Sequence, residues 1–113
     1  MRAMGAFGGG LCATGGVCGA LVGALAVIGL ACSRSSAEET ENFQKWVLGY
    51  KFQKRFRKEI GNGSILCRDI AGVDWRDQDQ RENFRKGKKF IACRDLTANA
   101  ARILGELLEE NGL

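Results

Sequence analysis

The chain predicts an all-α fold, a small bundle of three to four helices, and three observations carry that expectation. Proline is absent from the 113 residues, so no residue breaks a helix through a fixed φ and a missing N–H. Apolar side chains recur at three- and four-residue spacing through 37–60 and 90–111, the repeat of one helix face. No stretch alternates apolar and polar in the manner of a half-buried strand. The length, with 45% hydrophobic and 27% charged residues, fits one globular domain, 1–113, around a single modest core.

The first helix is expected over 14–31. It grows out of the stretch from Gly8 to Gly23, which holds two of the five cysteines and seven of the sixteen glycines. No charge falls between Ala3 and Ser33, so three readings compete: a secretion signal, a membrane helix, or a buried helix presenting a thiol. Only Val17 to Ala31 is densely apolar, about fifteen residues where a bilayer needs roughly twenty. Stable membrane insertion is therefore not expected. An export or lipoprotein signal over 1–31, ending at Cys32, is the sharper rival, because a short apolar run before small residues has that form. Against it stand a single basic residue, Arg2, and the many glycines. In the buried-helix reading, Gly15, Gly19 and Gly23 form a row that permits close packing, with Thr14 near the helix start. Cys18 then sits near the first turn, where free N–H groups and the helix dipole favour a thiolate and lower its pKa.

The second helix is expected over 37–60, opened by Ser35 and Ser36 with Glu38, Glu39 and Glu41 as an acidic first turn. Phe43, Trp46, Val47 and Tyr50 form one stripe. Leu48, Phe52, Phe56 and Ile60 form another, nearly opposite. A helix apolar on two sides is sandwiched, kinked near Gly49, or paired with a second subunit, so a homodimer through 37–60 is one expectation. Gly61-Asn62-Gly63 ends the helix, and a short one over 64–71 carries Cys67. Asp74, Asp77 and Asp79 sit in a polar loop without the glycine and glutamate of a calcium loop. Trp75 and Phe84 read as anchors to the core, and 80–89 as a short charged helix or loop. The last helix, 90–111, places Cys93, Leu96, Ala100, Ile103, Leu104, Leu107 and Leu108 on one stripe and stops at Asn111-Gly112.

Histidine is absent, which removes Ser-His and Cys-His nucleophile pairs, histidine general bases and histidine metal ligands. Chemistry must come from cysteine, carboxylate, Lys/Arg or a borrowed cofactor. Five cysteines leave at least one thiol free or paired outside the chain. The net charge of +4 is mild. The run Lys51, Lys54, Arg55, Arg57 and Lys58 reads as a solvated helix face, so no nucleic-acid partner is expected.

Phe7-Gly8-Gly9-Gly10, then Val17-Cys18-Gly19-Ala20-Leu21-Val22-Gly23, then Ile28-Gly29-Leu30 resembles the family called C_GCAxxG_C_C. Its signature is Cys-Gly-Ala-x-x-Gly followed by two separate cysteines. Cys67, preceded by Phe56 and the turn Gly61-Asn62-Gly63-Ser64, matches the first of these, and Cys93 matches the second. The resemblance implies a small, mostly helical, soluble bacterial or archaeal protein, cytoplasmic rather than exported, with a proposed thiol-redox role. It also implies a further N-terminal helix with a fourth shared cysteine, which this chain lacks ahead of Phe7. The expectation is a start internal to a longer protein at Met1 or Met4, or a substitute thiol at Cys12 or Cys32.

Cys67-Arg68-Asp69 and Cys93-Arg94-Asp95 are near copies, each setting an arginine beside a thiol that a cation can help ionise. No Cys-x-x-Cys occurs, which disfavours zinc ribbons and thioredoxin-type motifs. Two chemistries remain for Cys18, Cys67 and Cys93, with Gly19, Ala20, Gly23, Arg68 and Arg94 in support. Cys67 and Cys93 cycle between dithiol and disulfide with Cys18 attacking or resolving, serving an unidentified redox partner protein and needing no cofactor. Alternatively, three or four thiolates ligate zinc or an iron–sulfur cluster, the fourth ligand coming from Cys12, Cys32, a lost helix or a second subunit. The remaining reading is a structural, interacting helical domain.

Overall fold

The glycine-rich stretch does not enter its helix at Thr14 but only at Gly19. In the computed structural model, which describes residues 2–113, a 3-10 turn over Arg2–Phe7 leads into it. Gly9, Gly10, Leu11, Cys12 and Ala13 then all take positive φ, between 54° and 71°. The chain thus makes a turn of left-handed helix, which each non-glycine residue resists by about 1–2 kcal/mol. Thr14 closes it: its hydroxyl lies 2.8 Å from the carbonyl oxygens of both Gly10 and Leu11 and shares its one proton between them. The expected start near Thr14 is corrected accordingly, and α1 runs over Gly19–Cys32.

The second helix is also shorter than expected. α2 spans Gln44–Glu59, because the acidic stretch ahead of it is occupied otherwise. Glu39 accepts from the backbone N–H and hydroxyl of Ser35, at 3.0 and 2.7 Å, and Glu41 pairs with Lys45 and with Arg34. These bonds make a turn of 35–39 rather than a first helical turn. The stop holds: Asn62 and Gly63 take φ of 50° and 95°.

α3 spans Cys67–Ile70 and α4 spans Gln78–Lys86. Asp77, one of the three loop carboxylates, caps α4 by accepting from the backbone N–H of Asp79 and Gln80. α5 spans Lys88–Glu110, and Asn111 donates its amide to Leu107 O at 2.7 Å at its end. Among the described residues the only strand-like pairing is one antiparallel bridge, Val17 with Leu66.

The fold is all-α, with α1, α2 and α5 packed around the core and α4 lying on α5. Leu21, Ala24, Ile28 and Cys32 of α1, Leu48, Phe52 and Phe56 of α2, and Ala100, Ile103 and Leu107 of α5 are the buried rows. Each repeats at helical spacing, so each helix turns one apolar stripe inward. Of the two stripes on α2, only Leu48, Phe52 and Phe56 are buried. Phe43, Trp46, Val47 and Tyr50 stay 52–71% exposed. Arg55 links α2 to α5, donating to Glu59 and to Glu106 at 2.7 and 2.8 Å. No described helix is long and apolar enough to cross a membrane.

The glycine row splits by function. A Cβ on Gly19 would lie 2.5 Å from the carbonyl oxygen of Phe7, whereas one on Gly23 meets nothing within 4 Å. Gly19 is required by the 3-10 turn crossing it, and Gly23 only weakens its helix. Gly23→Ala is therefore expected to stabilise the fold by about 0.5–1 kcal/mol, read as a raised thermal midpoint, while Gly19→Ala lowers it. A fall with Gly23→Ala would mean that this face is in contact with something.

Candidate functional site

Cys18 and Cys67 are brought together by backbone pairing rather than by helix packing. Cys18 N–H donates to Ile65 O at 2.8 Å, Cys67 N–H to Gly16 O at 2.7 Å, and Arg68 N–H to Gly15 O at 3.2 Å. Around the Val17–Leu66 bridge, this puts Cys18 and Cys67 on one face as diagonal neighbours, a relation with Cα atoms roughly 7–8 Å apart. The two segments approach this closely because Gly10 carries no side chain. A Cβ there would sit 2.6 Å from Cys67 Cβ and from the N and O of Gly16. The left-handed turn is thus what seats the first cysteine against the second.

Cys93 comes from α5. It lines, with Cys18 and Cys67, one cavity of about 450 Å3 closed by Ile60, Ile70, Ala92 and Leu96, with Glu59, Lys89, Asp95 and Asn99 as its polar members. Cys18 and Cys67 are buried, Cys93 is half-buried, and all three are free thiols. The mixed lining is typical of a site that takes a small, partly polar group. Lys89 reaches across to donate to Gly72 O at 2.6 Å, which ties the start of α5 to the end of α3.

The electrostatics run against the expected low thiol pKa. Burial pushes the Cys18 thiol up. The N–H groups of Ala20 and Leu21, at the start of α1, pull it down by less, and Cys67 adds to the rise. Cys93 is likewise raised, first by burial, then by Cys18 and Cys67. The helix start does favour the anion at Cys18, but desolvation of the charged form outweighs it. Glu59, on the cavity wall, is held below the usual carboxylate range by its hydrogen bond from Arg55, so it is ionised and a weak base.

Both raised thiols bind their protons more tightly in the folded chain than in the unfolded one. The stabilisation this gives is complete below the ordinary thiol range and is lost as pH climbs through the raised folded values. Denaturant midpoints are therefore expected to fall with pH above about 8.5, with a shallower fall in Cys93→Ser. A profile identical for wild type and variant would show that Cys93 is not the group responsible.

Trp75 was expected only as a core anchor. Its indole N–H instead donates to Cys67 Sγ at 3.5 Å, while its ring meets Phe84 edge-on at 4.9 Å and Phe84 meets Phe90 at 5.9 Å. These T-shaped contacts hold α4 over the start of α5. Nothing local in the sequence marks Trp75 as a neighbour of the thiol, because the approach depends on how the 71–77 loop folds back.

The other expected residues lie elsewhere. Arg68 lines a separate surface groove with Thr14, Gly15 and Trp75. Arg94 pairs with Asp95 at 3.7 Å with both side chains about two-thirds exposed. Neither Arg68 nor Arg94 lines the cysteine cavity: a residue that follows a cysteine in a helix points to another face. Cys12 is exposed on the left-handed turn and Cys32 is buried at the opposite end of α1, roughly 20 Å along the helix from Cys18. Among the described residues no three His, Cys, Asp or Glu side chains converge as a metal ion would require.

The family model described as "Putative redox-active protein (C_GCAxxG_C_C)" matches residues 1–107. No curated protein and no solved structure matches the chain.

Proposed function

The chain belongs to the C_GCAxxG_C_C redox-active family, and from that premise we propose that it is a thiol-redox protein working through Cys18, Cys67 and Cys93. The observation that carries this is the shared cavity, which the three free thiols line from separate parts of the chain. Cys93, the most exposed of the three, attacks one sulfur of an incoming disulfide. The other sulfur leaves as a thiolate and takes up a proton. Cys67 then attacks Cys93 Sγ, which releases the substrate's second thiol and leaves a Cys67–Cys93 disulfide. Two protein thiols and one substrate disulfide thus become one protein disulfide and two substrate thiols. Exchange of that bond onto Cys18, diagonal to Cys67 at a Cα spacing near the roughly 7 Å limit of a disulfide, requires the two segments to draw closer.

The raised thiols of Cys18 and Cys93 give a small thiolate fraction at neutral pH, so the exchange rate rises with pH beyond the ordinary thiol range. A cycle that begins from free thiols fits the reducing cytoplasm. The metal or cluster reading would require the three sulfurs to move together first.

Oxidation of the reduced protein with a small organic disulfide tests the proposal. The expected result is loss of two thiols per chain and a single cross-linked peptide pair joining Cys67 to Cys93, or to Cys18 after exchange. Cross-linking through Cys12 or Cys32, or only stable mixed disulfides, would refute it. So would stoichiometric zinc or iron in anaerobically purified protein.

A further inference from the structure

We propose that the exposed stripe of α2 is a self-association surface, on which two copies of the chain pair their α2 helices antiparallel about a two-fold axis. Phe43, Trp46, Val47 and Tyr50 are 71%, 66%, 52% and 69% exposed, on the side of α2 away from Leu48, Phe52 and Phe56. Large apolar side chains exposed together on one face, unlike ones scattered singly, mark an interaction site. Beside it, between α1 and α2, lies a groove floored by Leu25, Ile28 and Gly49 and walled by Trp46 and Tyr50.

The chain as a whole is also under-buried. A folded monomer of 12.3 kDa exposes roughly 6,100 Å2, whereas this chain exposes 7630 Å2. The excess of roughly 1,500 Å2 exceeds the ~800 Å2 that each partner contributes to a standard interface. The shape agrees, with a radius of gyration of 15.3 Å and extents of 50 × 27 × 20 Å, against about 13 Å for a compact chain of this length.

Charge selects the occupant and its direction. The segment leading into α2 carries Glu38, Glu39 and Glu41, and the far half of the helix carries Lys51, Lys54, Arg57 and Lys58. Glu39 and Glu41 are held below the usual carboxylate range by Ser35 and by Lys45, so the acidic end is charged throughout the neutral range. A second copy laid parallel would stack the lysines on one another. Laid antiparallel, it sets acidic end against basic end and opposes the helix dipoles. Centring the axis between Val47 and Tyr50 places Val47 of one protomer opposite Tyr50 of its partner. The same register sets the Phe43 ring against Lys54, a cation–π geometry, and brings the acidic segment ahead of α2 to the end of the partner's helix that carries Arg57 and Lys58. The stripe is thus complementary to itself, as an isologous interface must be.

Sedimentation of the full chain is expected to give twice the monomer mass at about 50 µM, with dissociation promoted by salt. Tyr50→Glu is expected to raise the dissociation constant by about tenfold or more with an unchanged far-UV spectrum. Glu39→Lys and Lys58→Glu should each weaken the dimer severalfold, and the double variant should restore it, because one swapped chain restores opposite charge at both symmetric ends. A monomer at about 100 µM overturns the proposal, and so does a double variant no tighter than either single one. Tyr50-dependent binding to anionic vesicles in place of self-association overturns it equally.

Discussion

Replacing Cys67 by serine is expected to leave the first attack, by Cys93, near its wild-type rate while lowering formation of the internal disulfide by about a hundredfold or more, close to 2.7 kcal/mol of barrier. The hydroxyl cannot attack a disulfide sulfur, and the variant would stall as a mixed disulfide on Cys93. Cys93→Ser should slow the first attack itself as far, because it removes the attacking thiol and the most exposed of the three in the cavity. Cys12→Ser and Cys32→Ser should stay within about twofold of wild type, since neither lines the cavity. The measurement is the time course of free thiols with peptide mapping at its end. An undiminished internal disulfide in Cys67→Ser would remove Cys67 from the chemistry, and a collapse in Cys12→Ser would move the site to the left-handed turn.

The second large effect is expected at Gly10. An alanine there must hold φ near 71°, at a cost of about 1–2 kcal/mol, and must also fit its Cβ 2.6 Å from Cys67 Cβ and from the backbone of Gly16. Relief of that overlap means separating the 15–18 segment from 65–68, which endangers the hydrogen bonds from Cys67 and Arg68 to Gly16 and Gly15, each worth about 1 kcal/mol. A total loss of about 3 kcal/mol or more is expected, seen as a lower denaturant midpoint with faster alkylation of Cys67. Gly105→Ala, where nothing lies within 4 Å, serves as the mid-helix control. A Gly10→Ala protein with wild-type stability and a wild-type disulfide yield would mean that the turn does not seat Cys67.

The parts of the fold that repeat were legible in the sequence. Leu48, Phe52 and Phe56 on α2, and Ala100, Ile103 and Leu107 on α5, follow from the helical period, and so does the inward tilt of Cys93. The grouping of Cys18 with Cys67 and Cys93 came from the family signature. No periodicity joins residues so far apart in the chain. The left-handed turn was not legible because Leu11, Cys12 and Ala13 carry no preference for positive φ. It is imposed by the contacts of Thr14 back to Gly10 and Leu11 and by the bonds that Gly15 and Gly16 accept from Arg68 and Cys67. The acidic run Glu38–Glu41 imitates a helix start, yet its carboxylates are spent on Ser35, Arg34 and Lys45. The thiol of Cys18 was misjudged for a related reason. Its position at a helix start could be read from spacing, but the burial that outweighs it depends on the whole fold.

The bond from Trp75 to Cys67 makes the molecule its own spectroscopic probe. The chain has two tryptophans, one 66% exposed at position 46 and one whose indole N–H rests on a thiol sulfur. In a Trp46→Phe background, tryptophan emission comes from the indole beside Cys67, and sulfur oxidation or alkylation changes the group its N–H contacts. The state of the buried thiols can then be followed continuously in light, without a label and without opening the fold.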